Sequence, residues 1–263
     1  MFRMFAHATA ILLCLTSVLA CASCASPTQP DGIAQLTTVL SRCADSRHSS
    51  LIASDESRTS RGATSQPVRL QVIRDEVART AVCGGHVRVT VFSGSVVGQV
   101  VFDGDLTTVG ATETSRLRKV PKLVDQTMAT IGRRLPPARA SLPGDGTDIT
   151  GQYEVAAEYF AQQSPSGRAT RVFSVLTDGI STVPAEVANP GLTVARAQQL
   201  AETETPAKIP GVNVRMIGVG RTADGEQLPS SYVDAVKTFQ SAVCAKTDAA
   251  SCLIVTDAGA GAK

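Results

Sequence analysis

Short aliphatic runs alternate with longer segments of helical spacing along nearly the whole chain, and this alternation is the strongest constraint on its fold. Residues 50–54 (SLIAS), 171–176 (RVFSVL), 212–219 (VNVRMIGV) and 252–256 (CLIVT) read as buried strands. Residues 86–92 (HVRVTVF) alternate strictly and read as a half-exposed strand. The turn-like 93–98 and apolar 99–102 that follow suggest a hairpin. Between these runs, 68–81 places Val72, Ile73, Val77 and Ala81 at helical spacing and is stopped by Gly84-Gly85. A further helical segment, 115–135, is interrupted by Pro121 and closed by Pro136-Pro137. Residues 152–162 put Val155, Tyr159 and Phe160 on one face, 192–201 are helical, and 232–245 carry Val236, Phe239 and Val243 in register. The fold class predicted is α/β: a Rossmann-like, doubly wound, mainly parallel central sheet with one antiparallel hairpin strand and helices on both faces. One domain, residues 33–257, accounts for this pattern.

Composition excludes several functions. Twenty-five basic against 23 acidic residues leave a formal charge of +2, which is no footprint for a nucleic acid. Trp is absent and aromatic residues are 4% of the chain, which argues against base-stacking platforms and aromatic sugar-binding clefts. The three histidines, His7, His48 and His86, are scattered, and no cysteine pair recurs at zinc-finger spacing.

The N-terminus has the build of an export signal: Arg3, an apolar run over 8–20, then small residues. The run is too short to span a bilayer as a mature helix, and no other stretch reaches ~18 apolar residues. The small residues ahead of Cys21 and Cys24 resemble a bacterial lipobox, whose cysteine becomes a lipidated N-terminus; ordinary cleavage after Ala22 or Ala25 is the alternative. The expected layout is a signal over 1–20 (or to 23), lipidation at Cys21 or Cys24, a flexible tether over 21–32 and a disordered tail over 258–263. Cys43, Cys83, Cys244 and Cys252 then remain in the folded region, where an exported compartment permits disulfides in any of three pairings.

In open α/β sheets, functional groups gather beyond the carboxyl ends of the strands. Three polar clusters fall there: 55–59 (DESRT), 146–149 (GTDI) and 176–179 (LTDG). They offer carboxylates and hydroxyls, the hard oxygen donors that suit Mg²⁺, Mn²⁺ or Ca²⁺. Residues two apart in an extended stretch point the same way, so Asp55, Ser57 and Thr59 can face one ion.

In this order the clusters resemble the metal-ion-dependent adhesion site of von Willebrand factor type A domains. The D-x-S-x-S motif of that family is matched by Asp55, Ser57 and Thr59, its threonine loop by Thr147, and its last aspartate by Asp178. The resemblance runs over about residues 48–257. It implies a divalent cation, Mg²⁺ before Mn²⁺ or Ca²⁺, held directly by Ser57, Thr59 and Thr147, with Asp55 and Asp178 setting charge and orientation. It implies a protein ligand that presents an Asp or Glu carboxylate to the ion, and no enzymatic activity. The departure is Thr59 where Ser is usual, because its branched Cβ restricts χ1. Glu56 and Arg58 flank the hydroxyls and stand where they would tune or block access. Ligand choice would rest with the loops 56–66, 104–114 and 180–190. With strand starts and helix ends at the bottom of such a sheet, the resemblance also implies the pairs Cys43–Cys83 and Cys244–Cys252. Together these features describe an exported protein at the outer face of a cell membrane, anchored by lipid, or else secreted.

Two other readings compete. Asp and Ser after strands also cap helices without binding anything, so the chain could be a structural envelope lipoprotein with a vestigial site. The 55–59 cluster also resembles the D-x-D-x-T loop of haloacid-dehalogenase-like phosphohydrolases, with Ser57 replacing the aspartate that acts as acid and base. No G-x-S-x-G elbow supports a serine hydrolase.

Overall fold

The strands are Arg47–Asp55 (β1), Gly85–Phe92 (β2), Gln99–Leu106 (β3), Ala169–Leu176 (β4), Val212–Ile217 (β5) and Ser251–Val255 (β6). They form one sheet in the order β3-β2-β1-β4-β5-β6 in a computed structural model that describes residues 30–43, 46–94, 96–143, 146–163, 168–223, 225 and 227–257. β3 alone runs antiparallel, as the hairpin partner of β2. The signal over 1–20, Cys21, Cys24, most of the tether and the tail over 258–263 lie outside the described residues.

Helices cover both faces. Gln152–Gln162 (α5), Val194–Thr203 (α6) and Ser230–Ala245 (α7) pack on one, around Phe173, Val175, Val214 and Met216. Pro30–Ser41 (α1), Ser65–Cys83 (α2), Glu113–Leu117 (α3) and Val120–Ala140 (α4) pack on the other, around Ile52, Val87, Val89 and Val91. This is the doubly wound arrangement expected. α1 was not foreseen, and it takes in the last three residues of the segment read as tether. Its Ile33, Leu36, Val39 and Leu40 lie at helical spacing and rest on the second cluster.

Two expectations need correction. The helix read as closing at Pro136-Pro137 continues to Ala140. A proline ring at position 136 meets the carbonyl of residue 132, and that residue is Gly132, the backbone with most freedom to yield. The turn beyond the prolines is also tied down, because Arg139 Nε donates to Glu56 Oε2 at 2.6 Å. The second correction concerns β2, which is half-exposed only in its first half. Thr90, Val91 and Phe92 are all buried, since Val91 lies under the α4 side and Phe92 joins the α5 side.

Both expected disulfides are present, Cys43–Cys83 and Cys244–Cys252, with Cα separations of 5.5 and 6.1 Å. They staple the strand starts, at the end of the sheet away from Asp55. Among the described residues no helix is long and apolar enough to cross a membrane.

Candidate metal centre

The winding of the chain reverses between β1 and β4, the central neighbours of the sheet. A crevice opens at such a switch point, beyond the carboxyl ends of the strands. Ser54 is in register with Leu176, which sets Asp55, the last residue of β1, beside Thr177.

Asp55 is fully buried, and both its carboxylate oxygens are held. Oδ1 accepts the Ser57 amide at 2.8 Å, and Oδ2 accepts the Thr177 hydroxyl at 2.7 Å. The first bond curls the chain as it leaves the strand. Ser60 and Arg61 then donate their amides to the Ser57 carbonyl, closing a single helical turn. Within it the Ser57 and Thr59 hydroxyls come to 3.5 Å from each other, Ser57 buried and Thr59 exposed. After this turn a second short turn leads into α2, which begins at Ser65, three residues before the start that the polar composition of 58–67 suggested.

Asp178 follows β4 and is equally buried. Its Oδ1 accepts the Ile180 amide at 2.9 Å, whereas Oδ2 is buried with no hydrogen-bond partner among the described residues. Burial, and next the charge of Asp55, push its carboxyl up to about 7, against the Ile180 amide, the Thr59 hydroxyl and Arg69, which favour the charged form. Gly179 completes the turn at φ 81°, where a Cβ would come within 3.0 Å of Val219 and Val236.

Thr147 is brought to the same end of the sheet by its backbone. Its amide donates to Thr182 Oγ1 at 2.8 Å, and its carbonyl accepts the Thr182 amide and the Ser181 hydroxyl. The loop that begins at Asp178 thus carries Thr147, although no direct bond links Thr147 to the other four predicted residues. Of the five, Asp55, Ser57, Thr59 and Asp178 form one cluster, and Thr147 is appended to it through residues 181–182.

Two residues missed by the sequence reading hold the cluster together. Arg69 is buried; it donates through Nη1 to the Asp55 carbonyl and through Nη2 to Ser60 Oγ. Ser60 Oγ in turn accepts the Asp178 amide at 3.1 Å. Burial lowers the Arg69 guanidinium's pKa, and the charges of Asp55, Glu56 and Asp178 counter that shift. The signal was available: Arg69 lies four residues before Ile73, on the buried stripe with Glu76, Val77 and Thr80, and a cation on such a stripe demands a carboxylate opposite. Glu56 does not guard the mouth, because its buried carboxylate turns to Arg139. Arg69 also lines a cleft of about 720 Å³ beside α2, floored by Leu176 and Ile217; neither Asp55 nor Asp178 opens into it.

The histidines lie elsewhere. His48, near the start of β1, is buried against Glu76 at 2.6 Å, and His86 pairs with Tyr159 and Asp103. His7 is outside the described residues. Among the described residues no three of His, Cys, Asp and Glu come together, so this centre has two carboxylates supplemented by hydroxyls. An all-oxygen set with one orphaned buried carboxylate oxygen fits a hard divalent cation.

No protein-family model matches the chain, and no curated protein does. Among solved structures it is similar to the conserved hypothetical protein BatB of Bacteroides thetaiotaomicron, at 16% identity over 81% of this chain and 93% of that one, with a TM-score of 0.40. It is similar to an aerotolerance-related membrane protein of Bacteroides fragilis, at 16% identity over 81% and 94%, with a TM-score of 0.41. The manganese-loaded TRAP protein of Plasmodium vivax matches at 10% identity over 73% and 63%, with a TM-score of 0.36. Likenesses of this size leave the fold to rest on its own sheet order and the site on its own geometry.

Proposed function

We propose that the chain is an exported type A domain that binds a protein ligand through a divalent cation at the β1–β4 switch point. The observation that carries this reading is Asp178 Oδ2, a buried carboxylate oxygen without a hydrogen-bond partner among the described residues, beside a second buried carboxylate. A native structure rarely leaves such an atom unpaired without a use for it. Ser57, Thr59 and Thr147 would supply neutral oxygens to the ion, with Asp55 and Asp178 supplying charge. Mg²⁺ is the first expectation, with Mn²⁺ and Ca²⁺ as substitutes.

Charge counting supports a carboxylate as the ligand. Two aspartates and Arg69 sum to −1, a bound divalent cation brings the centre to +1, and a carboxylate from a partner returns it to zero. Ser57 and Thr59 present hydroxyls, and the Thr59 side of the turn is open to solvent. Cation and partner would therefore meet at the surface, above the buried charges. On this reading the cluster binds its ligand and does not turn it over. Asp55 is fully buried with both oxygens engaged, which disfavours the phosphohydrolase reading, and among the described residues no imidazole or thiolate bonds to the cluster. The two disulfides accord with an oxidising compartment outside the cytosol, and lipidation at Cys21 or Cys24 would hold the domain at the membrane.

The rival structural role has one observation in its favour: Arg69 already supplies a buried cation to the two aspartates. Thermal unfolding separates the readings. At one hundred times its Kd, a cation that binds only the folded state stabilises by about 2.7 kcal/mol. Mg²⁺ should raise the Tm of the wild type and not that of Asp55→Ala. A Tm indifferent to Mg²⁺, Mn²⁺ and Ca²⁺ in both proteins would leave the structural role in possession.

A further inference from the structure

Thr147 is tied to the cation centre through residues 181–182, and a second path reaches it from the other side. That path begins at Glu56, between Asp55 and Ser57. The Glu56 amide donates to the carbonyl of Phe92, the last residue of β2, at 2.8 Å. Its buried carboxylate takes two bonds from the Arg139 guanidinium, Nε to Oε2 at 2.6 Å and Nη2 to Oε1 at 3.1 Å. Ser54 Oγ adds a third, to Oε1 at 3.3 Å. Arg139 lies in the last turn of α4, and the chain between it and Thr147 is caught twice by the turn after β2. Ser93 Oγ donates to the Pro143 carbonyl, and the Gly94 amide donates to the Gly146 carbonyl at 2.7 Å. These bonds close a ring: Glu56 to Phe92, Ser93 to Pro143, and Arg139 back to Glu56.

We infer that Glu56, Arg139 and Ser93 are positioning residues of the cation centre, which set how far the Thr147 hydroxyl stands from those of Ser57 and Thr59. The inference rests on the cation reading above, and none of the three residues would touch the ion. A guanidinium fork on a carboxylate fixes distance and angle together, which a point charge on a flexible stem does not. Here the fork holds the stem of the Thr147 segment against the turn that carries the other two hydroxyls. The consequence is selection by ion size. Mg²⁺ demands near-octahedral geometry at about 2.0–2.1 Å, whereas Ca²⁺ accepts about 2.3–2.6 Å in a flexible arrangement. Slack in the ring therefore costs Mg²⁺ more than Ca²⁺.

The probes are the ions alone. Calorimetric titration of the full chain with MgCl₂ and with CaCl₂ gives two Kd values for each variant, and Tm in EDTA shows that it folds. Glu56→Gln should weaken Mg²⁺ binding by about tenfold, as loss of a group that orients metal ligands does, and Ca²⁺ binding by clearly less. Arg139→Lys keeps the charge and loses the fork, so its ratio of the two Kd values should fall between those of wild type and Arg139→Gln. Ser93→Ala leaves every charge in place and should move the ratio in the same direction, which keeps the test open if the Glu56 and Arg139 variants do not fold. A merely structural tie would lower Tm in EDTA and leave the ratio at its wild-type value. That result in the folded variants, with wild type binding both ions, overturns the positioning role alone. A wild type that binds neither ion overturns the cation reading, and the positioning role with it.

Discussion

The Thr177 hydroxyl donates to Asp55 Oδ2 at 2.7 Å, joining the ends of two parallel strands whose chain connection runs through more than a hundred residues. Thr177 Oγ1 also accepts the Gly179 amide at 3.0 Å, so one hydroxyl fixes the carboxylate of one strand and the turn after the other. Thr177→Val keeps the shape and removes both bonds, leaving a buried carboxylate oxygen and a buried amide unsatisfied. Such losses cost about 1–3 kcal/mol each. Urea unfolding should show a loss in that range or somewhat above it, with Thr177→Ser close to wild type. A valine variant as stable as wild type would mean that Asp55 is positioned by the Ser57 amide alone.

Arg69 balances two buried aspartates, and removing it should be expensive. Breaking a buried charge group by deleting one member costs about 3–5 kcal/mol. Arg69→Met, similar in length and uncharged, should therefore unfold at much lower urea in EDTA. A cation at the centre would replace part of the missing positive charge, so the deficit should shrink in Mg²⁺. Equal deficits with and without Mg²⁺ would show that the cation does not share these carboxylates.

Much of this was legible in the sequence, and the reasons are specific. Strands such as 171–176 and 252–256 are aliphatic runs too short for helices, and the alternation of such runs with helical spacing leaves little choice of fold. Asp55, Ser57, Thr59 and Asp178 could be placed because strand ends converge. Thr147 converges as well, but through backbone bonds to residues 181–182 that no side-chain pattern announces. Proline was misread because a rule for isolated helices met a tertiary anchor: Glu56 and Arg139 hold the last turn of α4 beyond Pro137, and Glu56 is thereby drawn away from the site it was expected to flank. Arg69 was legible as a cation on a buried helical stripe, but its partners, and the role of Ser60, exist only once α2 lies against the end of β1.

The disulfides close loops of very different length, 40 and 8 residues. In the chain-entropy account a crosslink stabilises by restricting the unfolded state, by about 4 kcal/mol for the longer loop and about 2.5 kcal/mol for the shorter. Cys43→Ala/Cys83→Ala should accordingly destabilise more than Cys244→Ala/Cys252→Ala when the unfolding of each is compared with that of wild type. The reverse order would assign the difference to the folded state, where α7 and β6 depend on their own bond at the sheet edge.

Glu76 gives the fold a titration of its own, remote from the Asp55–Asp178 cluster. The side chain is buried between α2 and the sheet, with His48 Nε2 at 2.6 Å and Arg215 Nη1 at 3.5 Å. Burial alone would raise its pKa; the His48 hydrogen bond, then the charges of His48, Arg215 and Arg79, outweigh burial and hold it at about 2. In the unfolded chain the same group titrates near the ordinary glutamate value of about 4.3. A depressed folded-state pKa contributes stability that is complete above the unfolded value and is lost as pH falls toward the folded one. The window is therefore about pH 4.5 down to 2, and the contribution is on the order of 3 kcal/mol. Glu76→Gln lacks this titration, so the stability gap between wild type and variant should be constant from pH 7 to 5 and should narrow below that. Urea midpoints for the two proteins at matched pH values test this. Acid curves that run parallel down to pH 3 would show that Glu76 is not ionised in the folded core, and that the bonds from His48 and Arg215 hold a neutral carboxyl instead.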